Sequence, residues 1–252
     1  MKKILVVHGW MHSAERYRKF ADDIEMKLHC KVVLYELPGF GETKPTRYTN
    51  LLKSYANDLV SILCDNNFDY VIGHSMGGNL LLRALEKANV ASKLILLSPE
   101  YIGISYLKPL TVLCPIMPLG LFALQKINCG LTDFLMKIIA LLTVNKWEQI
   151  DDRIIIDSRR ANPLVATIAM FELAWDSWKV TSSLWIKKEV NLILGQNDRI
   201  ILKSKMRQLQ KDLSCCNTYQ ILDIGHTAVV EAYDELLNII KNIICAGDMD
   251  NE

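Results

Sequence analysis

The chain has 252 residues, half of them apolar, and a formal net charge of +1. That length suits one large domain, or one domain with an insertion, and buries a core without disulfide or metal staples. The balanced charge, with no basic block and no aromatic–basic stripe, excludes a protein built to hold nucleic acid.

Ile4 to Val7 is a continuous apolar run rich in β-branched residues, which predicts a central strand ending at His8-Gly9-Trp10. The charged start before it is followed by too few apolar residues for a signal-peptide core. Ala14 to Leu28 reads as helix, with Tyr17, Phe20, Ile24 and Leu28 at helical spacing. Val32 to Leu37 predicts a second strand, and Leu37-Pro38-Gly39-Phe40-Gly41 a rigid loop. Leu51, Leu52, Tyr55, Leu59, Ile62 and Leu63 give a long amphipathic helix. Tyr70 to Ile72 is a third, buried strand; after the tight turn Gly73-His74-Ser75-Met76-Gly77-Gly78, Leu80, Leu81, Leu82 and Leu85 form a helix face. Lys93 to Leu97 is the fourth strand, ending at Ser98-Pro99. This rhythm indicates right-handed crossovers and a parallel sheet, whose chemistry collects at the carboxyl ends of the strands.

The rhythm breaks from about Glu100 to Lys188. Phe134 to Val144 has helical periodicity, a polar helix follows around Gln149 to Arg160, and another runs from Asn162-Pro163 to about Trp178. The expected organisation is therefore a core of residues 1–99 and 189–252, with a helical cap over 100–188. Between Lys108 and Lys126 there is no charge. That stretch is shorter than the roughly 20 residues of a span and is broken by Pro109, Pro115 and Pro118. It reads as a buried or pocket-lining segment, with an interfacial lid over Pro109 to Leu124 as the rival. Trp147, Trp175, Trp178 and Trp185 all fall in this half of the chain. At helical spacing such residues mostly pack, yet an apolar insert above the strand ends would roof a pocket.

Val190 to Leu194 resumes the strands and leads into Gly195-Gln196-Asn197-Asp198. Ile201 to Leu213 is a helix, Thr218 to Leu222 the last strand, and Gly225-His226 follows it directly. Val229 to Ile244 closes the chain as a helix with Leu236, Leu237, Ile240, Ile243 and Ile244 on its apolar face. The seven cysteines show no C-x-x-C spacing, so they read as reduced, mostly buried thiols of a cytoplasmic protein. No metal-ligand cluster is visible.

G-x-S-x-G arises by chance in about one chain in ten of this length, so its weight lies in the flanking strand and helix. In that setting the turn lifts the Ser75 hydroxyl, and the Met76 N–H has no intrahelical partner and can face an oxyanion. A serine hydroxyl is a poor nucleophile until a base takes its proton. His226, one short loop past the last strand, is the candidate base. Asp198, in the loop after the preceding strand, is the candidate acid that holds its tautomer. Asp223 is the rival acid, too close in sequence to His226 to reach the far ring nitrogen easily. The second oxyanion donor is the Trp10 N–H, which Gly9 lets approach. His8 reads as a brace for this loop. The candidates for the substrate pocket are Trp10, His74, Trp147 and Trp175, although the turn points His74 away from the nucleophile and its main role reads as packing.

These pieces, H-G-W at His8 to Trp10, E-L-P-G-F-G at Glu36 to Gly41, G-H-S-M-G-G at Gly73 to Gly78, G-Q-N-D at Gly195 to Asp198 and Gly225-His226, resemble the α/β-hydrolases of the esterase and lipase-like family. The resemblance spans nearly the whole chain outside the cap, and the order Ser75…Asp198…His226 is the family's. It implies an α/β-hydrolase fold with a cap inserted after the strand ending near Ser98. The family's usual N-terminal hairpin is missing, so a sheet of about six mostly parallel strands is expected. Glu36 and Thr43 replace the family's usual acid and serine in a loop that serves structure. The resemblance implies a serine hydrolase that needs no cofactor and acts on a small-molecule ester, and a cap full of Leu, Ile, Met and Trp favours an apolar acyl group of short to medium length. The same triad serves thioesters, carbon–carbon bonds next to a ketone and monoacylglycerols. A non-catalytic ligand receptor is the remote alternative. No integral membrane segment is expected, and the oligomeric state is open.

Overall fold

The computed structural model describes residues 1–88, 90, 92–126, 134, 137, 140–141, 143–146, 148, 150, 152–181, 189–213 and 216–249. Six strands form one sheet: β1 (Lys3–Val7), β2 (Lys31–Tyr35), β3 (Tyr70–His74), β4 (Lys93–Leu97), β5 (Val190–Gly195) and β6 (Asn217–Ile221). Their order is β2-β1-β3-β4-β5-β6, and every neighbouring pair is parallel. The central strands are buried on both faces, so they read as unbroken apolar runs and not as alternation. Leu5 and Val7 join one core with Val71, Leu94, Leu96 and Leu192. Ile4 and Val6 point the other way and join Tyr70, Ile72, Ile95 and Ile193.

Helices cover both faces. The first core is closed by α2 (Leu51–Asp65) and α3 (Met76–Lys87), and the second by α1 (Arg18–Leu28). Between β4 and β5 lies the inserted helical region. It holds a 3-10 segment at Ser105–Leu113, then α4 (Met117–Lys126), α5 (Arg153–Arg160) and α6 (Pro163–Trp175). After β5 come α7 (Lys203–Asp212), α8 (Ala228–Glu231) and α9 (Tyr233–Met249).

Most element boundaries follow the pattern reading, and the departures have local causes. The first helix opens with a 3-10 turn, Ala14–Tyr17. The closing helix is divided at Ala232, whose φ of −142° is not helical. Asn162 starts α6 by accepting from the Leu164 and Val165 N–H groups, both at 3.1 Å, with proline in the first turn. The helix stops at Trp175, not near Trp178, because Asp176 turns extended and its carboxylate takes the Arg83 guanidinium at 2.5 Å. Of the predicted helix from Phe134 to Val144, residues 135, 136, 138, 139 and 142 lie outside the described residues.

α6 packs on α2, and the 3-10 segment and α4 pack on α6 from outside. The region is tied to the core by a buried pair: Arg16 Nε lies 2.6 Å from Asp157 Oδ2, and Ser13 Oγ donates to Asp157 Oδ1 at 2.6 Å.

Two expectations are corrected here. The stretch from Lys108 to Lys126 is not buried: neither Ser105–Leu113 nor α4 holds a buried residue. The prolines keep it as two short helices bent by 81° on the outer side of α6, so Leu121 reaches the core while Leu110, Val112, Leu113, Ile116, Leu119 and Phe122 turn outward. Among the described residues no single helix is long and apolar enough to cross a membrane. The thiols are not mostly buried either; of the five described, only Cys30 is, while Cys64 and Cys245 are exposed.

Candidate active site

The sheet order puts β1 between β2 and β3, so consecutive crossovers leave β1 in opposite directions. Such a switch point opens a crevice at the carboxyl ends of the strands. The loop after β1 and the turn after β3 meet there: a Cβ on Gly9 would lie 3.0 Å from the Ser75 Cβ. Ser75 sits at φ 52°, ψ −118°, a conformation that costs about 1–3 kcal/mol in a residue with a side chain. Its surroundings hold it. The Ser75 carbonyl accepts from the N–H groups of Gly78 (3.0 Å), Asn79 (3.2 Å) and Glu100 (3.1 Å). Close approach explains the glycines, since a Cβ on Gly73 would come 2.7 Å from the Gly78 Cα, and one on Gly77 would strike the Val7 carbonyl.

The loops after β5 and β6 supply the other two groups. His226 Nδ1 donates to Asp198 Oδ2 at 2.8 Å, with the two side chains 5% and 8% exposed. Asp198 Oδ1 accepts from the N–H groups of Ile200 (2.8 Å) and Ile201 (2.9 Å). Burial pushes the Asp198 pKa up, but the His226 charge and hydrogen bond and the two backbone N–H groups outweigh it and hold the acid below its ordinary value. With Nδ1–H committed to the carboxylate, Nε2 keeps its lone pair. Asp223, the rival acid, is exposed.

The base loop is anchored by groups the sequence reading missed. The His226 N–H donates to the Thr143 carbonyl at 2.8 Å. Glu231 accepts from the N–H groups of Gly225 (2.8 Å), Thr227 (3.1 Å) and Asn145 (2.7 Å). No sequence motif marks this glutamate; only its reach back to Gly225 shows what it does.

His226 is tied to the residue that precedes Ser75: His74 Nε2–H donates to the His226 carbonyl at 3.1 Å. The two rings lie 4.9 Å apart. Among the described residues no hydrogen bond yet joins the Ser75 hydroxyl to the imidazole. Such bonds commonly tighten only when substrate is present. Neither the Trp10 N–H nor the Met76 N–H has an acceptor among the described residues, as an oxyanion hole requires.

The pocket candidates separate. Trp10 is partly buried and its indole N–H donates to the Ala166 carbonyl at 2.9 Å, joining the β1 loop to α6. His74 is buried. It shares the Tyr70 and Ile72 face of β3, so it points beneath the site and stacks on His12 at 5.1 Å. Trp175 is 52% exposed; it donates to Thr111 Oγ1 at 3.2 Å and lies under Lys108, at the outer end of α6. Trp147 and Trp185 lie outside the described residues. Trp178 packs edge-on against Tyr101, as a packing residue should. His8 is the expected brace: its ring contacts the Gly9 carbonyl at 2.8 Å and accepts the Leu37 N–H at 3.1 Å. Glu36 serves structure too, taking the Ala14 N–H at 3.0 Å, and Thr43 Oγ1 closes its loop on the Phe40 carbonyl at 2.8 Å.

Behind the site runs a row, Tyr17–His12–His74, with both ends buried, His12 half-buried and His12 Nδ1 3.2 Å from the Tyr17 hydroxyl. Burial first, then His226, lowers the His74 pKa to about 3. Burial first, then Arg16, lowers His12 well below its ordinary 6.5. Glu100 shifts the opposite way: burial first, then Asp176, raises it to about 8. Below about pH 6.5 the unfolded chain takes up protons that folded His12 and His74 refuse, so their stabilisation is complete above that pH and fades as pH falls toward 3. Between about 4.5 and 8 the folded protein holds a proton on Glu100 that the unfolded chain releases, so stability falls as pH rises through that window. Each group contributes up to about 1.4 kcal/mol per pH unit. Urea unfolding should therefore show a stability maximum near pH 6.5, with Glu100→Gln flattening the alkaline limb and His74→Gln the acid limb. A profile flat from pH 5 to 8 would contradict these assignments.

Comparison with known proteins adds three findings. A model of the alpha/beta hydrolase family matches residues 4–239. Among curated proteins, a probable protein phosphatase methylesterase 1 of Caenorhabditis elegans is 29% identical over 94 residues, which is 35% of this chain and 26% of that protein. The biotin biosynthesis bifunctional protein BioHC of Saccharophagus degradans is 37% identical over 75 residues, 30% of this chain and 12% of that one. The matched stretch thus spans about a quarter or less of these two relatives. Among solved structures, a thermophilic esterase from Thermogutta terrifontis superposes with a TM-score of 0.74 at 17% identity, covering 98% of this chain and 90% of that one. At that identity the likeness is one of fold.

Proposed function

Because the chain belongs to the alpha/beta hydrolase family, we propose that it is a serine hydrolase cleaving carboxylic esters of apolar, short to medium acyl chains. The observation that carries this reading is the His226–Asp198 pair, bonded at 2.8 Å, with the His226 carbonyl held by His74, the neighbour of a serine on a strained elbow. In this mechanism Ser75 attacks the ester carbonyl while His226 Nε2 takes its proton. Asp198 stabilises the imidazolium and holds its orientation. The N–H groups of Trp10 and Met76 receive the oxyanion. His226 then returns the proton to the leaving alcohol, which departs and leaves an acyl-enzyme. Water repeats the two steps and frees the acid.

The relatives support ester chemistry in particular: the Caenorhabditis elegans protein carries methylesterase in its name, and the Thermogutta structure is of an esterase. The preference for apolar acyl groups rests on the insertion, where α6 brings an apolar helix against the Trp10 indole. A nitrophenyl ester series from acetyl to dodecanoyl tests the proposal. Turnover should peak among the short and medium acyl chains and fall for the longest. Absence of turnover across the series, from folded protein, would reject it.

A further inference from the structure

We propose that the outer face formed by Ser105–Leu113 and α4 docks on a lipid bilayer carrying anionic headgroups. This does not depend on the hydrolase reading. Leu110, Val112, Leu113, Ile116, Leu119 and Phe122 are all exposed on it, Val112 by 77% and Leu119 by 72%. Exposed apolar side chains are ordinary when scattered singly. Here they are contiguous, on two consecutive elements that contribute no buried residue at all. Phe171 and Trp175 of the adjoining α6 extend the patch. Contiguous apolar surface of this kind marks an interaction site.

Charge selects the partner. From Tyr101 to Thr132 the only charged residues are Lys108 and Lys126, and there is no carboxylate. Each lysine lies over an aromatic ring of the same face: Lys108 Nζ is 4.7 Å from the Trp175 centroid and Lys126 Nζ 5.7 Å from that of Phe122. Each ammonium group thus sits directly on the apolar face, and aromatic rings and lysines together are the side chains suited to the level of the headgroups above acyl chains. A second copy of this face would bring lysines against lysines with no acid to meet them. The 81° bend rules out a straight span and suits helices lying in the plane of the interface. The face also borders the candidate active site. The Tyr106 hydroxyl donates to the Ile200 carbonyl at 3.0 Å, and the Ile200 N–H holds Asp198.

The test is co-sedimentation of the full chain with vesicles of phosphatidylcholine alone and of phosphatidylcholine mixed with phosphatidylglycerol. The protein should pellet with the mixed vesicles, less with phosphatidylcholine alone, and be released by salt. Val112→Asp combined with Leu119→Asp should weaken binding by roughly tenfold or more. Both positions are exposed, so an unchanged melting temperature verifies the variant's fold. Protein that stays in the supernatant with mixed vesicles overturns the proposal. So does a variant that pellets like the wild type, and so does sedimentation velocity showing a dimer that the double substitution dissociates.

Discussion

Ser75→Ala is expected to lower ester turnover by about six decades, with little change in KM and none in the fold. Alanine accepts φ 52° no better and no worse than serine, so the elbow keeps its strain and its three hydrogen bonds to the residue 75 carbonyl. What disappears is the oxygen that bonds to carbon. The N–H groups of Trp10 and Met76 remain, so a residual rate above that in water persists. Steady-state kinetics on a soluble nitrophenyl ester reads the effect. A variant within tenfold of the wild type would place the nucleophile elsewhere.

Asp198→Asn should cost roughly four decades, and the structure says why an isosteric change is so damaging. Asp198 Oδ1 accepts two backbone N–H groups, from Ile200 and Ile201. In asparagine only the carbonyl oxygen can take that place, so the amide NH2 must face His226 Nδ1. Nδ1 then becomes the acceptor and the proton moves to Nε2, the nitrogen that must be bare to receive the serine proton. The loss should appear in kcat, and raising the pH should recover part of it through hydroxide. A decline smaller than tenfold would mean that another carboxylate orients the imidazole.

Much of this was legible in the sequence because each part carries a local signal. Strands buried on both faces must be apolar throughout, so Ile4–Val7 and Lys93–Leu97 stand out without any alignment. Ser75, Asp198 and His226 each follow a strand within a few residues, so a parallel sheet alone brings them to one rim. The elbow glycines are forced by backbone contacts that any tight strand-to-helix turn makes. What stayed hidden depends on which face a residue meets. Apolar composition says that Lys108 to Lys126 needs cover, not whether protein supplies it, and the segment turns outward from α6. Trp175 has the helical spacing of a core residue, yet it is on the exposed flank of α6. His12 and Glu231 act through single contacts, to Tyr17 and to the Gly225 N–H, and no spacing rule selects them.

The His226–Asp198 pair is expected to activate one particular hydroxyl, that of Ser75. Reaction of the folded chain with a fluorophosphonate, followed by mass spectrometry of its peptides, tests this directly. One phosphonyl group per chain is expected, on Ser75, and none after Ser75→Ala. An unmodified chain, or a label carried by any other residue, would contradict it.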